Sequence, residues 1–253
     1  MKLVYIKNKN DNYKIIDDVL KNEFSVSSKL RLKLIKNNKI LLNNKICNTK
    51  NFINPNDIVT INLDFKEENS NIIPKKMDLN IIYEDEWLLV INKPSGIPVH
   101  PSILHFEDSL SNGVKWYFDS IKLNKKIRPI NRLDKNTSGL VVFAKCEYIQ
   151  EHLIKQMENK QFKKEYLALV SGIFIDKKGT INLPIARKEN SIIERCIDKK
   201  GQISITHYEV LKEFNNYSLV KCLLETGRTH QIRVHMKEIG HPLLRRRLIW
   251  WSY

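Results

Sequence analysis

Residues 132 to 145 read RLDKNTSGLVVFAK, an arginine and a carboxylate two positions apart in a polar turn that feeds an apolar, β-branched run from Leu140 to Ala144. Such a run reads as an interior strand, so Asp134 is placed on a loop against a rigid element. Thr137, Ser138 and Gly139 add hydroxyls and a permissive backbone. The turn can therefore fold sharply and leave amide donors to orient a carboxylate. A lone aspartate in a loop is ordinarily an Asx turn. The residues around Asp134 point instead to chemistry.

The string R-L-D-x-x-T-S-G-L resembles the signature of the RluA-type RNA pseudouridine synthases, and further segments fall in that family's order. They are Ile82 to Asp85 with Leu89 to Gly96, Lys164 to Gly172, and Leu224 to His235, so that the resemblance runs from about Leu79 to Leu244. It implies that Asp134 is the catalytic carboxylate, acting on the sugar or base covalently or stabilising a cationic or glycal intermediate. Arg233 matches the arginine that pairs with that aspartate and holds it ionised. Tyr166 matches the active-site tyrosine, whose ring can stack on uracil while its hydroxyl handles protons. Arg132 matches an arginine that fills the gap left when the target nucleotide leaves the stack. Where many members carry histidine, this chain has Asn131, an amide that can still hydrogen-bond.

The implied fold class is α+β, a small α/β RNA-binding module followed by a mixed, mostly antiparallel β-sheet catalytic domain with a cleft across the middle of one large sheet. The module spans 12–63. Ile15, Ile16, Val19 and Leu20 have helical spacing, and Ser27 or Ser28 can cap a second helix with Leu30, Leu34 and Ile35 inward. Asn37-Asn38 ends that helix, a hairpin turns at Asn43-Asn44, and Pro55-Asn56-Asp57 leads into the strand Ile58 to Leu63. A basic helix before such a hairpin resembles the S-four-type RNA-binding module, which makes Lys29, Arg31 and Lys33 candidate phosphate contacts. Residues 64–78 are polar and aperiodic and read as a linker. Residues 79–244 form the catalytic domain, with its clearest helix from Glu147 to Lys160 and Leu153, Ile154 and Met157 facing inward.

The 253 residues can hold one sizeable core plus a small module. A formal charge of +15, from 43 basic against 28 acidic residues, favours a polyanionic partner. The resemblance, through an N-terminal module typical of members that modify large-subunit RNA, implies ribosomal RNA first and transfer RNA second. No apolar run reaches membrane-spanning length and no signal peptide opens the chain, so a cytoplasmic protein, monomeric by default, is expected. Cys47, Cys146, Cys196 and Cys222 form no C-x-x-C pair and read as buried thiols of a reducing compartment. His230 and His235 lie five apart on what reads as a strand, pointing to opposite faces. Neither metal nor cofactor is expected.

After Leu244 the family continues with G-D/E-D-x-Y-G, whereas this chain reads RRRLIWWSY over residues 245–253. RRRLIWWS can be encoded as AGG AGA AGA CTT ATA TGG TGG AGT. Dropping the first base and letting a T follow gives GGA GAA GAC TTA TAT GGT GGA GTT, or G-E-D-L-Y-G-G-V. Residues 245–253 therefore read as an out-of-frame tail, and the catalytic domain as incomplete at its C-terminus. A non-catalytic RNA-binding or assembly protein and an inactive truncated synthase are the alternatives. Resequencing the gene through the codons for Leu244 to Tyr253 is expected to restore G-E-D-L-Y-G-G; an unchanged frame, or native peptides matching 245–253, would contradict a sequencing error.

Overall fold

Short apolar runs punctuated by asparagine shape the N-terminal segment. They fold as β1 (Lys2–Ile6), α1 (Ile16–Asp18) running into a π-helical turn at Val19–Glu23, α2 (Ser28–Lys36), β2 (Ile40–Leu42), β3 (Lys45–Ile46) and β4 (Ile58–Asn62). The computed structural model describes residues 1–191 and 193–244; residues 245–253, read above as an out-of-frame tail, lie outside the described residues. The four strands make one antiparallel sheet in the order β1-β4-β2-β3. Ser27 is the serine that caps α2, its hydroxyl accepting from the Leu30 amide at 3.3 Å. Asn43 and Asn44 both adopt left-handed backbone, φ 49° and 65°, which a two-residue hairpin loop requires. Ile16, Val19, Leu20, Leu30 and Leu34 bury against Ile40, Val59 and Ile61.

Two expectations for this segment are corrected. The folded unit begins before residue 12, because β1 pairs along its whole length with β4, from Lys2↔Asn62 to Ile6↔Ile58. Its two outward-facing apolar residues, Val4 and Ile6, blur the alternation that would have marked a strand. Ile35 is exposed. The buried stripe of α2 is the i, i+4 pair Leu30 and Leu34, and the next residue is turned about 100° away from it.

Residues 64–78 form no helix or strand, yet they are fastened down. Lys125 Nζ donates to Asp64 Oδ1 and to the Phe65 carbonyl, both at 2.8 Å. The Arg128 guanidinium forks onto Glu67 with two bonds of 2.7 Å, and Lys33 approaches the same carboxylate at 3.4 Å. The Glu67 and Arg128 side chains are only 8% and 9% exposed. Burial opposes ionisation of Glu67, but the Arg128 guanidinium and Lys33 outweigh it and hold the carboxyl below its usual range.

β5 (Ile81–Glu84), β6 (Leu88–Lys93), α3 (Leu110–Ser120), β7 (Gly139–Ala144) and α4 (Glu147–Glu158) follow. The strands form an antiparallel sheet in the order β5-β6-β7, and Leu89, Ile91, Val141 and Phe143 bury against Val114 and Phe118 of α3. Helix α4 has no buried residue, and Ile154, expected inward, is exposed. Polar bonds hold its first turns instead: Tyr148 Oη donates to the Phe24 carbonyl at 3.0 Å, and Ser27 Oγ to Glu151 at 2.8 Å.

The chain divides into two compact units within α4, one ending at Lys155 and the other starting at Gln156. The second contains β8 (Lys164–Ser171), β9 (Lys178–Asn182), β10 (Ile185–Arg187), β11 (Arg195–Ile197), β12 (Ile205–Glu213), β13 (Tyr217–Leu224) and α5 (Gln231–Glu238). Its main sheet is antiparallel in the order β8-β13-β12-β9, and Ala168, Val170, Ile181, Val220 and Cys222 bury with Met236 of α5. Where a strand across His230 and His235 was expected, His230 is the left-handed residue before α5 and His235 lies within that helix. The alternation of Arg233, Val234 and His235 is coincidental, and the buried Gln231, His235 and Met236 follow helical spacing. Cys47 and Cys196 are half-buried where full burial was expected. No helix among the described residues is long and apolar enough to cross a membrane.

Glu67→Ala is expected to lower unfolding stability by about 3 kcal/mol, because it strands the Arg128 cation in a buried site. Urea denaturation at pH 7 measures this. Since the Glu67 pKa is depressed, its contribution is present above the ordinary carboxylate value of 4.5 and the gap between wild type and variant closes as the pH falls below it.

Candidate active site

The pairing of β6 with β7 ends at Lys93↔Gly139 and so delivers two turns side by side, residues 94–97 and 131–138. Gly139 has φ +132° and Gly96 has φ +104°, conformations that side chains with a Cβ rarely adopt. Between the two turns lies the ammonium of Lys93, which is wholly buried. Its Nζ donates to the carbonyls of Pro94 at 2.9 Å, Ile97 at 2.8 Å and Lys135 at 3.1 Å. That satisfies all three of its protons. The Gly96 amide also donates to the Lys135 carbonyl at 2.8 Å, and Ser95 Oγ to the Asn136 carbonyl at 3.0 Å. Burial pushes the Lys93 ammonium down, and the nearby Asp134 charge pushes it back up. An open depression of about 450 Å³, lined by residues including Asn92, Lys93 and Ser138, lies beside these turns.

The other end of the 131–138 turn is held by Asn131. Its Nδ2 donates to the Leu140 carbonyl and its Oδ1 accepts from the Val142 amide, both at 2.9 Å. The neighbouring Ile130 amide donates to the Val142 carbonyl at 2.7 Å, so the Asn131 side chain continues the bonding of segment 128–130 along β7. Leu133 packs onto the core under the sheet, Arg132 is exposed, and Asp134 is half-buried between them and Lys135. The Thr137 amide donates to the Asp134 carbonyl at 3.0 Å and closes the turn.

Tyr166 and Arg233 belong to the second unit. Tyr166 stands on β8 opposite Cys222 and packs half-buried against the core that also receives Ile232; Arg233 follows Ile232 on α5 with its side chain exposed. A buried polar chain fixes α5. His235 Nε2 donates to the Leu183 carbonyl at 2.9 Å, so its Nδ1 accepts from Thr206 Oγ1 at 2.9 Å. Thr206 Oγ1 in turn accepts from Gln231 Nε2 at 3.0 Å, and Gln231 Oε1 accepts from Thr226 Oγ1 and the Arg228 amide. Burial pushes the His235 imidazole down, which keeps the neutral tautomer this chain needs.

The basic residues of α2 face carboxylates of their own unit. Arg31 pairs with Asp17 at 3.0 Å, Lys33 with Glu147 at 3.0 Å, and Lys29 with Glu147 at 3.3 Å while remaining 84% exposed. Among the described residues no group of three or more His, Cys, Asp or Glu side chains converges as a metal site would require.

Sequence reasoning passed over Lys93 and the Gln231–His235 network, and it allowed Asn131 a hydrogen bond without identifying β7 as its partner. A signal for Lys93 was present, because it stands in step with Leu89 and Ile91, the buried positions of an alternating strand.

Residues 87–238 match the family described as RNA pseudouridylate synthase. An uncharacterized RNA pseudouridine synthase of Bacillus subtilis is 39% identical over 212 residues, which is 83% of this chain and 70% of that protein. Ribosomal large subunit pseudouridine synthase D of Haemophilus ducreyi is 35% identical over 231 residues, 90% of this chain and 70% of that protein. Among solved structures, human RNA pseudouridylate synthase domain containing 1 superposes with a TM-score of 0.55 at 26% identity, over 66% of this chain and 67% of that one.

Lys93→Met keeps the bulk of the side chain but leaves three carbonyls without a buried donor. Amide hydrogen exchange is expected to accelerate at least about tenfold at Gly96 and Thr137, a loss of roughly one hydrogen bond. Unchanged protection there would show that Lys93 does not hold the turn.

Proposed function

Because the chain belongs to the RNA pseudouridine synthase family, we propose that it converts selected uridines of structured RNA to pseudouridine with Asp134 as the reacting carboxylate. The observation that carries this reading is the anchoring of the turn around Asp134, by Lys93 and Gly96 on one side and the Asn131 amide on the other. A group that must meet a sugar carbon in one geometry needs such support.

The reaction breaks the bond from uracil N1 to ribose C1′, rotates the base, joins C5 to C1′, releases the C5 proton and protonates N1. Nothing is oxidised or reduced, so one ionised carboxylate suffices, whether it adds covalently or stabilises a cationic or glycal intermediate. Tyr166 and Arg233 take the roles that the family resemblance gives them: a ring stacked on uracil with a hydroxyl for proton traffic, and a cation that holds a carboxylate ionised. Arg132, exposed beside Asp134, is the planar cation that occupies the space of the flipped nucleotide.

Large-subunit ribosomal RNA is the substrate supported first, by relatives named for that subunit; transfer RNA is second. The N-terminal segment acts as an S-four-like RNA-binding module. All three candidate phosphate contacts pair with internal carboxylates, and Lys29 is the most accessible of them. A cytoplasmic monomer fits this work.

Asp134→Asn is expected to abolish release of tritium from RNA carrying [5-³H]uridine, by at least about a thousandfold, while filter-binding affinity for the same RNA stays within about threefold. Release at the wild-type rate would remove Asp134 from the chemistry. A wild-type protein that binds RNA and releases no tritium would favour a non-catalytic RNA-binding role.

A further inference from the structure

The segment from His100 to Asp108 exposes more apolar surface than its length explains. Ile103 is fully exposed, Leu104 is 84% exposed and Phe106 is 58% exposed. Solvent normally selects against adjacent large apolar side chains at a loop tip unless they meet a partner.

This loop is braced. The backbones of Ser102 and His105 exchange two hydrogen bonds, of 3.0 and 2.9 Å, across the tip. Its base is tied to α3 where the Leu110 amide donates to the Pro98 carbonyl at 2.8 Å and the Ser111 amide to the Val99 carbonyl at 3.0 Å. Asn112 Nδ2 donates to the Phe106 carbonyl at 3.1 Å. The backbone is therefore held in a form that keeps Ile103 and Leu104 out in water.

The same loop is bound to the turn that carries Asp134. Lys135 Nζ lies 2.9 Å from His105 Nε2. An ammonium can only donate, so Nε2 accepts and His105 Nδ1 donates to Asp108 at 2.8 Å. Crowding by the protein and, after it, the charge of Arg132 both push the His100 imidazole down. The carboxylates of the loop, Glu107 and Asp108, come after the apolar tip, and Asp108 is drawn back onto His105.

An apolar tip, cations beside it and a turn poised for chemistry on a uridine together select one occupant. A stacked uridine must leave its neighbours before it can be reached, and apolar side chains inserted between bases are an established physical means of unstacking the adjoining step, beside the space that Arg132 fills. We propose that Ile103, Leu104 and Phe106 form a wedge that enters the base stack of the RNA next to the target uridine, with Lys135 fixing the wedge to the Asp134 turn. The wedge deepens, and depends on, the reading of Asp134 as the carboxylate that acts on RNA.

The test uses ribosomal and transfer RNA transcripts labelled with [5-³H]uridine, at saturating full-length protein in single turnover. Ile103→Ser/Leu104→Ser/Phe106→Ser is expected to slow tritium release about tenfold to a hundredfold, as loss of one or two stacking contacts would, while filter-binding affinity stays within about threefold. The conservative set Ile103→Leu/Leu104→Ile/Phe106→Tyr is expected to release tritium at nearly the wild-type rate. Serine substitution without a rate effect overturns the wedge and leaves Asp134 untouched. Equal loss in the serine and conservative sets also overturns it, since that is the mark of disturbed folding. No release by the wild-type protein overturns the Asp134 reading together with the wedge.

Discussion

The ammonium of Lys93, closed off from water and bonded to three backbone carbonyls, is the constraint on which the rest of the first unit's chemistry depends. A buried cation is costly unless every proton finds an acceptor. Here the acceptors come from two different turns, so satisfying the lysine brings the turns together. The lysine sits at the last rung of the β6–β7 ladder. Strand pairing thus sets the height at which the ammonium emerges, and the ammonium sets where the loop around Asp134 lies. Backbone order passes to loop order through one side chain.

Much of this arrangement was legible in the amino-acid sequence. The turn from Arg132 to Gly139, the strand behind it, the serine cap of α2 and the Asn43-Asn44 hairpin all depend on local chemistry: punctuating residues, hydroxyl caps, left-handed asparagines. What escaped was non-local. The segment 231–238 reads as a strand in isolation, while the evidence for a helix lies in partners far off in sequence, Thr206 and Leu183. β1 was missed because its partner, β4, is more than fifty residues away. Ile154 was placed inward by periodicity, but periodicity cannot reveal that a helix is held by a tyrosine hydroxyl and a glutamate instead of by its apolar stripe.

Charge illustrates the same limit. A net charge of +15 favours a polyanionic partner, yet the residues first chosen on α2 face Asp17, Glu67 and Glu147 within the fold. Where a cation sits decides whether it is available to a phosphate, and Glu67 shows how demanding the internal use can be. One buried carboxylate serves Arg128 and Lys33 at once and ties an otherwise irregular segment to both. The count of basic residues overstates the cationic surface offered to a ligand.

Asn131 has a consequence of another kind. Its side-chain amide meets β7 with the Leu140 carbonyl on one side and the Val142 amide on the other. If the incoming segment slipped by one residue, the aspartate three positions later would be displaced by about 3.3 Å. The role proposed for Asp134 tolerates errors of only roughly 0.5 Å. The amide therefore works as an alignment key: it makes the misaligned arrangement lose two hydrogen bonds together, so that an error too large for that proposed role is also one the fold rejects.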